Sequence, residues 1–265
     1  MDSAHSTIFR GILASKLPRS DLTLNRLTQE AVSVTGAGME TTKWTLNVAL
    51  FHVLDQPPVQ ARLKAELANA MPDASVILPW VELEKLPYLS AVINESEYTH
   101  THTHTPMSTE TRTVEPSVLT QPGLRLGYGQ VQRLPRINRL GTWKYKDWEI
   151  PSGATVGMDA YHMHSNPAIY PDPQAFKPER WLGDPKGPDG VHPLSNYLVP
   201  FGRGSRICIG RPVALMELHV ALATLFRRHE LELYETQLAD ADFVLDIVVP
   251  MPRWGSKGVR ALVVK

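Results

Sequence analysis

Apolar residues recur at helical spacing early in the chain. Leu22, Leu24, Leu27, Ala31 and Val34 form an approximate stripe, which resumes through Trp44, Val48 and Phe51 until Pro57 and Pro58 stop it. Ser20 stands where an N-cap is expected, and the helix so defined exceeds thirty residues, long for a globular domain. Its middle reads Gly36-Ala37-Gly38-Met39-Glu40-Thr41-Thr42; each glycine costs ~1 kcal/mol against alanine, so a local deformation is expected there. A second helix is predicted from about Val59 to Ala70, with Leu63 and Leu67 on one face. A third follows Pro87 and carries Leu89, Val92 and Ile93 up to Glu95.

Beyond that helix the pattern changes character. Residues 142–156 alternate aromatic, charged and β-branched side chains around Gly141 and Pro151-Ser152-Gly153, the signature of a hairpin. Residues 167–200 are dense in proline and show little periodicity. Pro212 to Arg228 reads as a helix whose buried side would be Val213, Met216, Val220, Ala223 and Leu225. The tail from Phe243 to Val264 reads as two short strands with Pro250 and Pro252 between them. The fold class is therefore mainly α with small antiparallel β pieces.

Between Glu95 and Gly123 all periodicity is lost. Residues 96–122 contain Thr99-His100-Thr101-His102-Thr103-His104-Thr105, then scattered Ser, Thr, Pro and Glu, a composition that predicts a disordered loop. Alternating Thr-His is what an alternating A/C dinucleotide repeat encodes. Ser96-Glu97-Tyr98 back-translates to contain a splice donor and Pro122-Gly123 an acceptor, so the segment reads as an in-frame retained intron or an error of the gene model. A His-rich metal-binding loop is the competing reading, though metal ligands usually need anchored spacing rather than bare alternation.

Bulk properties narrow the function classes. At 265 residues with 43% hydrophobic content, the chain can bury a sizeable core. Lys and Arg number 27 and Asp and Glu 27, so net charge gives no argument for nucleic acid as a partner. A single cysteine rules out an internal disulfide and is consistent with a reducing compartment. No apolar run reaches the ~18–20 residues needed to span a bilayer, and Met1-Asp2-Ser3-Ala4-His5 opens without a basic or apolar leader.

That one cysteine, Cys208, lies in Phe201-Gly202-Arg203-Gly204-Ser205-Arg206-Ile207-Cys208-Ile209-Gly210. A lone cysteine is most often simply core. Here the flanking glycines and arginines fill every fixed slot of F-x-x-G-x-R-x-C-x-G, and the string resembles the haem-binding loop of the cytochromes P450. The resemblance implies a thiolate axial ligand at Cys208, with Gly204 and Gly210 keeping the backbone close to a flat cofactor and Arg206 offering a charged fork to a propionate. The stretch around Glu40 and Thr41 is similar to the family's oxygen-binding kink, which implies Thr41 as hydroxyl donor and Glu40 as the acid feeding it. Back-bonding of threonine within a helix is the alternative. Phe176-Lys177-Pro178-Glu179-Arg180-Trp181 resembles the segment whose arginine joins a buried ion-pair network with an E-x-x-R triplet. Asp159 to His164 looks like the short helix before it, and His162 and His164 read as structural.

The triplet is broken here: Glu95 is followed by Ser96, Glu97 and Tyr98. Removing residues 96–122 restores Glu95-Gly123-Leu124-Arg125, and Arg136 then falls where the family places a second propionate contact. The resemblance covers the rest of residues 1–265 as the carboxy-terminal portion of one P450 domain, an incomplete P450 fold without the helices that precede the long central one. It implies a haem b monooxygenase, fed by an NADPH-cytochrome P450 reductase type donor, that inserts one oxygen atom into a lipophilic small molecule. The family's usual location is the cytosolic face of the endoplasmic-reticulum membrane. Asp184 to Gly190 and Pro252 to Arg260 look like P450s of filamentous-fungal secondary metabolism. The alternative is a catalytically inactive fragment, or a haem-binding remnant without turnover.

Overall fold

The computed structural model describes residues 7–95, 125, 127–128 and 131–264. Residues 96–122, read above as a disordered insertion, lie outside them. The chain forms two compact units, Met1–Glu40 and Thr41–Lys265. The first holds helix α1 (Ile8–Leu13), a 3-10 turn at Arg19–Asp21 and the start of α2 (Leu24–Asp55). Ser20 sits in that turn rather than at the helix start. Thr23 takes the cap instead: its Oγ1 accepts from Arg26 N at 3.3 Å. The deformation expected at residues 36–42 is also absent, because α2 runs as one uninterrupted α-helix of 32 residues. A Cβ at Gly36 or Gly38 would meet nothing within 4 Å, so neither glycine answers to a packing constraint in this chain.

The second unit carries the core. The later half of α2 buries Trp44, Val48, Phe51 and Val53, while α3 (Pro57–Ala70), α4 (Trp80–Leu83), α5 (Pro87–Glu95) and α7 (Arg211–Arg228) pack on one another around Leu63, Leu67, Leu83, Leu89, Val92, Leu222 and Phe226. Each buried leucine contributes about 1.5–3 kcal/mol. Two arginines seal the far end of α7: Arg227 donates to the carbonyls of Met71 and Pro72, and Arg228 to those of Ala74 and Ser75. The helix start of α5 is closed from a neighbour, since Glu66 of α3 accepts from Tyr88 N and Leu89 N, both at 2.8 Å.

Helix α7 is where the sequence predicted, but only Ala223 and Leu225 of its predicted buried side pack into the core. Leu218, His219, Leu222, Ala223 and Phe226 face the core, whereas Val213, Met216 and Val220 are exposed. The helix is apolar on more than one side, so periodicity alone offered two faces and the packing of α3, α4 and α5 selected one.

Among the described residues the unit also holds four two-stranded antiparallel pieces: β1 (Arg136–Ile137) with β4 (Thr155–Val156), β2 (Trp143–Tyr145) with β3 (Trp148–Ile150), β5 (Leu231–Leu233) with β8 (Ala261–Val263), and β6 (Leu245–Asp246) with β7 (Pro250–Met251). The predicted hairpin at residues 142–156 is the β2–β3 pair, closed by Lys146 at positive φ. Pro250 belongs to a strand rather than to the gap between strands. Among the described residues, no helix is long and apolar enough to cross a membrane.

Candidate active site

The cysteine loop is built by local backbone geometry. Gly202 and Gly204 take φ of +68° and +78°, the left-handed region that side chains resist. They turn the chain into a 3-10 segment at Gly204–Arg206. Cys208 N then donates to Phe201 O at 2.8 Å and closes the loop, after which α7 begins at Arg211. The thiol of Cys208 is exposed, so the reading of a buried structural cysteine does not hold. Its neighbours Ile207 and Ile209 are exposed as well, Ile209 almost completely. Arg206 is exposed on the same turn, and Arg136 lies exposed on β1, donating to Pro135 O.

Behind this loop lies a fully buried carboxylate. Glu95 ends α5 with no exposed surface and accepts five hydrogen bonds. Its Oε1 takes Arg180 Nε at 2.6 Å, Lys177 N at 3.0 Å and Arg125 Nη2 at 3.3 Å; its Oε2 takes Trp181 Nε1 at 2.7 Å and Arg125 Nε at 3.2 Å. A buried ion survives only when its partners satisfy it, and here two guanidiniums, an indole and an amide do so. Arg125, equally buried, spends its remaining fork on the carbonyls of His164 and Pro173, both at 2.9 Å, and lies over the Tyr170 ring at 5.0 Å. Burial raises the Tyr170 phenol well above its ordinary range and keeps it neutral.

Arg125 reaches Glu95 through a seam. Its backbone N donates to Asn94 O at 3.2 Å. Asn94 and Arg125 stand thirty-one positions apart in the chain, yet the bond between them is the one an α-helix makes between residues four apart. That bond, with the side-chain pair, sets Arg125 against the end of α5 that Glu95 closes.

The structure therefore brings together Glu95, Arg125 and Arg180, and separately Phe201, Gly204, Arg206, Cys208 and Gly210. Glu40 and Thr41 are consecutive on α2; Thr45 Oγ1 back-bonds to Thr41 O at 3.1 Å. Sequence reasoning missed Trp181 and Tyr170. Trp181 was legible as the polar-handled aromatic next to Arg180; nothing in the sequence marked Tyr170. His162 lies on the surface against Asp159, which accepts from its Nδ1 at 2.7 Å, whereas His164 is fully buried. Among the described residues, no group of three His, Cys, Asp or Glu is placed to hold a metal ion.

A family model described as cytochrome P450 matches residues 4–119 and 128–253. The chain belongs to the cytochrome P450 family. Among curated P450s, "Cytochrome P450 monooxygenase orf6" of Eupenicillium brefeldianum is 41% identical over 98% of this chain and 47% of its own length. "Cytochrome P450 monooxygenase sdnE" of Sordaria araneosa is 39% identical over 98% of this chain and 45% of its own, and "Stellatic acid synthase" of Emericella variicolor 37% over 97% and 48%. The chain spans about half the length of the curated relatives it matches.

The cysteine loop fits the P450 cofactor. An accessible sulfur on a turn of two left-handed glycines, ringed by exposed isoleucines and an arginine, is the donor set a flat apolar porphyrin with carboxylate arms requires. A Cβ at Gly210 would stand 3.8 Å from Cys208 Sγ, ordinary contact. The described residues therefore leave room for a side chain at that position.

Proposed function

We propose that the chain contributes the thiolate side of a haem b monooxygenase active on a lipophilic small molecule of fungal secondary metabolism. The observation that carries this reading is the exposed Cys208 thiol on a loop closed by the 2.8 Å Cys208–Phe201 backbone bond. Bound there, thiolate-ligated haem supplies the reductive use of dioxygen: two electrons and two protons leave one oxygen atom in a C–H bond of the substrate and the other in water.

The chain's own residues hold and tune that group. Cys208 would be the sulfur ligand, and α7 begins three residues later. Arg206 and Arg136 would offer charged forks to the propionates, and Phe201 and Gly204 would shape the loop that receives the group. Thr41 holds a hydroxyl for proton delivery and Glu40 supplies the proton behind it. Glu95, Arg125 and Arg180 keep the supporting framework in register. Electrons would come from an NADPH-cytochrome P450 reductase type donor.

A reduced carbon-monoxide difference spectrum on the chain expressed with added haem tests the reading. A strongly red-shifted Soret band, lost in Cys208→Ser, is the expected result; uptake of haem without that shift would sink it. The alternative is haem binding without turnover. NADPH oxidation coupled to oxygenated product, measured with the reductase present, separates the two.

A further inference from the structure

His164 ends the five-residue helix α6 (Ala160–His164), and no part of it reaches solvent. It is touched from two sides by the two structures described above. Its backbone carbonyl accepts from Arg125 Nη1 at 2.9 Å, and its ring Nε2 accepts from Val199 N at 2.9 Å. Val199 O in turn accepts from Gly202 N at 3.0 Å, and Phe201, two residues on, accepts from Cys208 N. One residue thus joins the buried ion-pair network to the segment that closes around the cysteine.

The chemistry of the ring argues that this bond is its purpose. Because Nε2 accepts, the ring proton of the neutral imidazole is on Nδ1. Nδ1 is buried and has no hydrogen-bond partner among the described residues, which is unfavourable for a polar group. The ring stacks on Tyr128, centroids 5.7 Å apart at 21°, and meets the Tyr170 edge at 6.2 Å. An apolar or phenyl ring would fill that aromatic slot without leaving a donor unmade. Only an acceptor at the Nε2 position satisfies Val199.

We infer that His164 is a positioning residue for Cys208, transmitting the placement of Arg125 to the cysteine loop through Val199. The inference rests on the haem-thiolate reading for its consequence in turnover, but not for its geometry. Its first readout is therefore free of haem.

The experiment is hydrogen exchange on the full chain, wild type against His164→Leu, His164→Gln and His164→Asn. Glutamine places its carbonyl oxygen near the position of Nε2, and asparagine near that of Nδ1. In His164→Leu and His164→Asn the amides of Val199 and Cys208 are expected to exchange about tenfold faster, with α5 and α7 unchanged, and His164→Gln is expected to restore protection. Unchanged protection at Cys208 in His164→Leu would overturn the inference. So would a loss spread evenly over the chain in all three variants, the mark of a purely structural role.

With haem added, the share of the red-shifted band should fall in His164→Leu while total bound haem holds. A wild type that shows the exchange pattern but never the band would defeat the haem reading and leave the positioning role standing.

Discussion

Trp181 Nε1 donates to Glu95 Oε2 at 2.7 Å, on the oxygen opposite the one that Arg180 holds at 2.6 Å. The carboxylate is thus gripped from both sides by consecutive residues of one 3-10 turn, Pro178–Trp181. A hydrogen bond to a buried ion is worth about 1.5–3 kcal/mol. Trp181→Phe keeps the ring and removes the donor, so denaturant unfolding should register a loss of about that size. A change within a few tenths of a kcal/mol would show that the indole bond is replaceable by water.

The seam at Asn94 and Arg125 makes a sharper prediction. Closing a loop of twenty-seven residues costs about 3 kcal/mol of chain entropy. Deleting residues 96–122 should return stability of that order, because Arg125 keeps its place beside Glu95. Deletions of 26 or 28 residues should lose the gain, since one residue turns Arg125 by about 100° around the helix. Thermal unfolding of the three deletions and the full chain ranks them, and equal midpoints would refute the register. The same geometry predicts a mature message lacking those codons, read by sequencing across the codons for Asn94 and Arg125.

Two buried histidines set an acid limit. Burial pushes His52 down to about 3; burial, reinforced by the Arg125 charge, pushes His164 down to about 3 as well. In the unfolded chain each binds its proton near 6.5, so between those values the unfolded state holds more protons. Stability is therefore full above about pH 6.5 and falls as pH drops toward 3, by up to about 1.4 kcal/mol per pH unit for each ring. Denaturant midpoints from about pH 8 to about pH 4 measure the slope, which His52→Phe should make visibly shallower. A profile equally steep in that variant would assign the acid sensitivity elsewhere.

Val248 occupies the β6–β7 turn at φ +86°, a conformation β-branched residues resist by about 1–3 kcal/mol. Its carbonyl accepts from Val131 N at 3.3 Å, a tie that does not depend on the side chain. Val248→Gly relieves the strain against a smaller entropic loss and should stabilise the protein by about 1 kcal/mol. Destabilisation on unfolding would mean that the valine side chain holds the turn.

What the sequence determined alone is what a few neighbouring residues can settle. Proline positions and apolar spacing set the existence and approximate extent of α3, α5 and α7. Gly202 and Gly204 fixed the cysteine turn, because left-handed backbone is a property of the residue itself. The motif around Cys208 was sufficient to name the family, and Glu95 and Arg180 were legible as partners from the company each keeps. Tertiary structure decided the rest. Which side of α7 is buried depends on where α3, α4 and α5 lie, and a helix apolar on two sides carries no record of that. The five donors on Glu95 come from two distant segments, Arg125 and residues 177–181, so no local pattern counts them. His162 and His164 read alike as structural from sequence, and only burial between Tyr128 and Tyr170 gave one of the two a task. Local backbone preference is written in the chain, whereas desolvation belongs to whichever distant atoms arrive to exclude the water.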